Sequence, residues 1–311
     1  MRIYILQAVA VALTVAAPTQ QSWRPPADVQ RCPSKWGAGD QRGAANLMTP
    51  ERVLQAARLI KSGELIELSY PISERSHGGR RYEIYTKRTD VGTASNQPNN
   101  TEELVVADLG HIGTQLDGFA HQAIGNSLYN CFKLDETATR TGFTKLGVEN
   151  IGGLMTRGVL IDVAALKGVD VLPNSYEITV QDLEQALKRQ NLALQPGDAV
   201  MINTGVGRSW GTPRPANAVP GIGIAAAEWL AKHDPMLVGA DTPNVEVLPS
   251  PDPALFVPVH EIMLTVHGIY LLENLKLDEL ATKRAYEFAF MVQPLKLVGA
   301  TGSPIAPMAI R

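Results

Sequence analysis

Cysteine is nearly absent: Cys32 and Cys131 are the only two in 311 residues. Neither sits in a CxxC pair or in a Cys/His cluster with zinc spacing, which excludes a structural zinc site of the finger type. An even count permits a disulfide in an oxidising compartment, and two unpaired buried thiols fit the sequence equally well. Neither cysteine neighbours an activating base in sequence, so a catalytic thiol is not expected. Positive charge is not in excess either, since 28 Lys and Arg stand against 31 Asp and Glu, a net charge of −3. Nothing here draws in a phosphate backbone, and nucleic acid is not an expected partner. Internal repeats and linker-like breaks are also missing, so nothing in the chain argues for a repeat array or for separate domains.

The first segment does carry a pattern. Met1 and Arg2 precede an apolar run over residues 3–17 that is interrupted by Gln7 and Thr14. One positive charge, this length and small residues at the end match a secretory signal peptide. The run is shorter than the roughly twenty apolar residues of a membrane span. Removal of residues 1–17 and export to the periplasm or the medium are therefore expected, with no stable membrane span. Residues 18–45 are rich in Pro, Gly and Trp without periodicity and read as a segment wrapped over the surface. Residues 46–311 then read as one domain.

Within that domain, helix and strand signals alternate. Thr49 is a helix N-cap with Pro50 at the first helical position; Val53, Ala56, Ala57 and Ile60 share a face, and Gly63 is the stop. Residues 65–70 alternate like a strand. Residues 71–103 are polar and basic, a long loop or an irregular hairpin, and long loops in compact domains often face substrate. Arg80, Arg81, Tyr82 and Tyr85 could meet a carboxylate or an aromatic ring there; a solvated basic face is the alternative. Residues 158–163 and 199–203 read as short buried strands. Between them Thr179 caps a helix with Val180, Leu183, Ala186 and Leu187 inward. A second helix over 224–233 leads to a strand over 236–240 that ends at Asp241, which reads as a capping or turn residue. The whole is one α/β domain.

The densest chemistry lies in HIGTQLDGFAH, residues 111–121. His111, Gln115, Asp117 and His121 supply imidazole, amide and carboxylate, all metal-ligand types. In an extended chain the four odd-numbered positions fall on one side, whereas a helix would turn Asp117 away from His111 and Gln115, so strand or turn geometry serves the cluster better. A satisfied hydrogen-bond network is the plain alternative to a metal. His260 and Glu273 flank the apolar stretch EIMLTVHGIYLL, and a carboxylate following Leu271 and Leu272 is costly to bury without a partner. A divalent cation is one such partner, and an Arg or Lys is the other. His77, His233 and His267 read as surface or packing histidines.

HIGTQLDGFAH resembles the HxGTHxDxxxH signature of the cyclase family of metal-dependent hydrolases, relatives of kynurenine formamidase and isatin hydrolase. VHEIMLTVHGIYLLENL, from Val259, resembles the metal-binding segment near the C-terminus of that family. WGAGDQRGAANLMTPERV, PGDAVMINTG, VGADTPNVEV and PLKLVGATGSPIAPMAI extend the likeness, in the same order, over nearly everything after residue 30. The resemblance implies the swivelling β/β/α fold and a homo-oligomer, a dimer or tetramer. It implies one metal at His111, Gln115 and Asp117, a second at Asp117, His260 and Glu273, and His121 as general acid/base. Kynurenine formamidases carry His where this chain has Gln115. An amide oxygen is a neutral, harder and weaker donor than imidazole, so manganese or a single zinc suits the site better than a zinc pair.

The expected reaction on a small-molecule substrate follows from that set. A metal held by these residues lowers the pKa of a water and polarises a carbonyl, while His121 carries the proton to the leaving group. Amides, cyclic amides and lactones fit. The alternatives are ring closure by the same groups, or an exported binding protein that kept the fold and lost the chemistry.

Overall fold

The computed structural model describes residues 22–73, 80–212, 215 and 217–311. The expected signal segment and His77 lie outside them. Eleven strands position the site: β1 (Leu65–Glu67), β2 (Tyr82–Val91), β3 (Asn99–Ala107), β4 (Gln115–Asp117), β5 (Leu154–Asp162), β6 (Ala199–Asn203), β7 (Leu237–Ala240), β8 (Tyr270–Glu273), β9 (Glu287–Val292), β10 (Gly302–Pro304) and β11 (Met308–Ile310). Nine of them form one sheet in the order β1-β11-β9-β5-β6-β7-β8-β4-β10. β5, β6, β7 and β8 run parallel in the middle, and antiparallel strands flank them on both sides. This is a single-domain mixed α/β fold.

The parallel strands are short runs of Val, Leu, Ile, Met and Ala because neighbours cover them on both faces. Every residue of β6 and β7 is buried. β5 starts at Leu154, four residues before the sequence signal, because Thr156 and Arg157 are buried on the strand by specific partners: Thr156 donates to the Gly197 carbonyl at 2.6 Å and Arg157 to that of Ala193 at 2.7 Å.

Three helices reach eight residues among those described: α1 (Pro50–Ala57), α2 (Val180–Gln190) and α3 (Ile224–Ala231). α2 begins with a capping box, in which Thr179 accepts from the Asp182 amide and Asp182 accepts from the Thr179 amide. Asn191 closes it in the left-handed conformation, where a short polar side chain is tolerated. α1 has the expected Thr49 cap and Pro50, but it stops at Ala57. The Leu59 and Ile60 amides bond three residues back, to Ala56 and Ala57, so the last turn tightens and Ile60 leaves the α-helical face. α3 likewise ends at Ala231, two residues early, and the strand after it starts at Leu237.

Residues 71–103 contain a hairpin. β2 and β3 pair antiparallel from Tyr82↔Ala107 to Val91↔Asn99. The second strand runs four residues past the polar segment, to Ala107, and leads directly towards His111. Residues 22–47 are tied to the domain at several points: Trp23 donates to Glu228 at 3.1 Å, the Arg31 guanidinium reaches the Leu128 carbonyl at 3.3 Å, and Ala44 and Ala45 enter the core. Cys32 and Cys131 form a disulfide that closes a separation of 99 residues. Of the two readings open in the sequence, the structure takes the paired one.

Candidate metal centre

The site sits at the seam where the parallel strands end and the antiparallel edge begins. β8 and β4 pair so that Glu273 lies opposite Gln115, and Leu271 opposite Asp117. Alternation along β4 then puts Gln115 and Asp117 on one face, beside Glu273. Gln115, Leu116 and Asp117 alone of the residues from 111 to 121 form the strand, and turns complete the cluster, so the structure combines the strand and turn geometries that the sequence left open. Gly113 (φ 68) and a 3-10 turn at Leu109–His111 bend the chain before β4, and His121 follows in a turn closed by its amide onto Gly118 at 3.0 Å. The turns bring both histidines back over the face that β4 presents.

Each of the two anchored imidazoles is held on one nitrogen and faces the cluster with the other. His111 Nε2 lies 2.9 Å from the Thr301 hydroxyl, and its Nδ1 lies 3.1 Å from Asp117 Oδ1. Gly302 next to Thr301 has no room for a side chain, since a Cβ there would lie 3.0 Å from the His111 ring and 2.4 Å from the Gly110 carbonyl. His260 ends a short helical turn opened by Pro258, just before the π-helix Glu261–His267. Its Nδ1 bonds to Glu246, and its Nε2 lies 3.3 Å from Glu273 Oε1 and 3.7 Å from Asp117 Oδ2. The His121 ring lies tilted against that of His111, with centroids 4.1 Å apart, and no hydrogen bond holds it among the described residues.

Two overlapping groups could hold a cation: His111, Asp117 and His121, and Asp117, His260 and Glu273, each with ligand atoms within 4.8 Å of one another. Asp117 belongs to both. Its Oδ2 is buried and has no hydrogen-bond donor, a costly state for an anionic oxygen in the interior. No Lys or Arg pairs with Asp117, Glu246 or Glu273 among the described residues, so the Arg or Lys alternative is not realised and these acids face imidazoles with no permanent cation. The donor set of imidazoles and carboxylates around an unsatisfied oxygen fits a divalent metal.

Gln115 is brought into the cluster, with its amide nitrogen towards the carboxylates. It donates to Asp117 Oδ1 at 3.1 Å and to Glu273 Oε2 at 2.9 Å. The expectation for this residue was an oxygen facing a metal; here its NH2 faces the two carboxylates.

Electrostatics follow from burial and crowding. Burial raises the Glu273 carboxyl, and the Asp117 charge beside it adds to this, to about 8. Burial also pushes Asp117 up, but the hydrogen bond from His111 and the nearby imidazoles outweigh it and hold that carboxyl at about 2. Burial lowers His121 to about 4 against the attraction of Asp117. His260 goes the other way: burial opposes its charge, yet the bonds to Glu246 and Glu273 raise it well above the usual range.

Glu246, which holds His260, was not singled out from the sequence. It lies fourteen residues from His260; the signals were its place in the segment VGADTPNVEV, quoted for the family resemblance, and a carboxylate between Val245 and Val247 in a buried stretch. Asp241 does brace turns, accepting from the Thr204 amide and hydroxyl and from the Gly207 amide. His233 bonds the Trp229 carbonyl, and His267 pairs with Glu228, both away from the cluster. Arg80 and Tyr85 are exposed, and Arg81 pairs with Glu83. A separate cavity of about 700 Å³ beside Thr114, walled by Met48, Tyr70, Met155, Met291 and Met308, contains none of the cluster residues.

Comparison with known proteins bears on the fold and the family. The model of the family described as "Putative cyclase" matches residues 66–247, a span that holds His111, Gln115, Asp117, His121 and Glu246. A solved structure described as a novel cyclase is 36% identical with a TM-score of 0.80, over 89% of this chain and 96% of that one. Isatin hydrolase A from Ralstonia solanacearum shares the fold at 22% identity and a TM-score of 0.59, over 85% of this chain and 98% of that one. So does a predicted metal-dependent hydrolase from Bacillus stearothermophilus, at 20% identity and 0.52, over 79% and 97%. None of the curated proteins searched matches. With a family model spanning more than half its length and a solved relative aligned over most of it, this chain belongs to the cyclase family.

Proposed function

We propose that the chain is a metal-dependent hydrolase that opens an amide, a cyclic amide or a lactone at its carbonyl carbon. The observation that carries this reading is the buried Asp117 oxygen without a donor, shared by two groups of imidazoles and carboxylates that no Lys or Arg neutralises. His111, Asp117, His260 and Glu273, with Gln115 beside them, would hold manganese or zinc. A bound divalent cation supplies a more acidic water and a polarised carbonyl.

The remaining steps belong to the side chains. His121, lowered to about 4, is neutral at pH 7 and free to accept a proton. It takes that proton from the attacking water and returns it to the departing amine or alkoxide. Thr301 keeps the His111 ring from turning.

Export and assembly are part of the same proposal. A disulfide between Cys32 and Cys131 suits an oxidising compartment, in line with the signal-like first segment. The β2–β3 ribbon pairs Ile84 with Val105 and Tyr85 with Leu104, and these four are 42% to 54% exposed. A two-stranded ribbon is marginal alone, and a second copy of the chain covering those pairs would make the dimer or tetramer; light scattering would report a monomer if this is wrong.

Metal analysis of the purified protein, followed by a screen of aryl formamides, isatins and lactones, tests the function. Stoichiometric metal with hydrolysis of one class is the expected result. Metal-free protein inert towards all three would replace the reading with that of a binding protein.

A further inference from the structure

Glu246 belongs to neither cation group, yet three donors converge on it. The residue is 1% exposed. Its Oε2 accepts from the Val259 amide at 3.1 Å, and its Oε1 accepts from the His260 amide at 3.2 Å and bonds His260 Nδ1. The chain around it is fixed as well. Ile222 bridges to Glu246 and accepts from the Val247 amide at 3.2 Å, and Val245 takes a left-handed conformation with φ 57. The carboxylate is therefore a rigid part of the wall and not a side chain that swings in.

What it holds is the far end of His260, whose other nitrogen faces Glu273 and Asp117. An imidazole offers a lone pair at Nε2 only while the ring's proton sits on Nδ1. An oxygen acceptor at Nδ1 enforces that state. We propose that Glu246 is a positioning residue that keeps His260 protonated on Nδ1, aims Nε2 into the gap between Asp117 and Glu273, and so sets the affinity of the site for a divalent cation. This inference rests on the metal-dependent reading above.

A carboxylate is required because it accepts on both oxygens. Glutamine has the same shape with one acceptor, so in Glu246→Gln either a backbone amide or the ring N–H must face an NH2 donor. If Glu246 merely caps the turn that begins at Pro258, the variant loses fold stability and cation affinity is untouched.

Metal-free wild type and Glu246→Gln, titrated with zinc and with manganese by calorimetry and melted in parallel, separate the two. Expected is a loss of affinity of about 10- to 100-fold in a folded variant, whatever melting temperature the facing donors cost the metal-free protein. Wild-type affinity in a folded Glu246→Gln overturns the proposal. Imidazole nitrogen NMR on metal-free wild type is the second readout, and it stands even if the variant fails to fold. A proton on His260 Nδ1 is expected, and a bare Nδ1 overturns the proposal. Wild type that takes up neither metal sinks the metal-dependent reading, and the NMR result still decides the role of Glu246.

Discussion

Two clusters of acids at the sheet bury carboxylates and solve the problem differently. Near the start of β5 and β9, Asp198 lies 3.7 Å from the Arg157 guanidinium, which also pairs with Glu287 at 3.0 Å. That cluster carries its own cation. At the β4–β8 seam, Asp117, Glu246 and Glu273 are buried among imidazoles and amides with no Lys or Arg among the described residues, and one oxygen of Asp117 has no donor. A structural cluster closes its charge account internally; a cluster left short of positive charge is built to take a cation from outside. The contrast is what separates an ion pair from a metal centre when both consist of buried acids.

The strongest way to break the comparison is to remove the acids at the seam. Asp117→Ala or Glu273→Ala should bring bound metal and turnover close to zero, while the metal-free protein still folds, because each change relieves crowded negative charge. Metal analysis and thermal melting on one sample decide it: metal retained at the wild-type level makes these acids structural. His121→Ala should lower turnover by about 10²- to 10⁴-fold with metal content unchanged. Metal lost in step with activity would place His121 among the ligands, which its grouping with His111 and Asp117 allows.

At the structural cluster the same kind of cut should act on stability. Arg157→Ala strands Asp198 without its partner and should cost about 3–5 kcal/mol, read by denaturant unfolding, with metal content unaffected. A neutral outcome there would erase the difference between the two clusters.

The cluster chemistry was legible because residue types announce it: His111, Gln115, Asp117 and His121 stand close in sequence, and Glu273 interrupts an apolar run. Strands β6 and β7 were legible for the same local reason, as brief β-branched stretches between turn residues. Geometry was less so. Where the strand gives way to turns, at Gly113 and at Gly118, was not readable, and only cross-strand register shows that Gln115 faces Glu273. Glu246 and Thr301 lie in segments that resemble the family, but they orient histidines 14 and 190 residues away, and no spacing in one sequence pairs residues over such distances. The direction of the Gln115 amide depends on which charges surround it once folded.

Smaller effects sharpen the contrast. Gln115→His replaces a donor between two acids by a ligand type that zinc prefers, so zinc occupancy should rise; identical zinc and manganese binding curves for the two proteins would remove Gln115 from the ligand set. Asp198 is raised by burial to about 6, above its unfolded value of 3.8, despite Arg157 and the Gln195 amide. A raised acid contributes stability that is full below about pH 4 and is lost as pH rises through about 6. Asp198→Asn should flatten that part of the stability profile, and an unchanged slope in melting temperature between pH 4 and 6 would show that the group is not titrating there.

The central distinction, a seam that lacks a cation and a cluster that has one, comes down to one titration. Metal-free wild-type protein is titrated with zinc and with manganese while its melting temperature is followed. Saturable uptake with a rise in melting temperature that grows with free metal is predicted, and it should vanish in Asp117→Ala and persist in Asp198→Asn. No uptake by wild type, or equal uptake by Asp117→Ala, would contradict it.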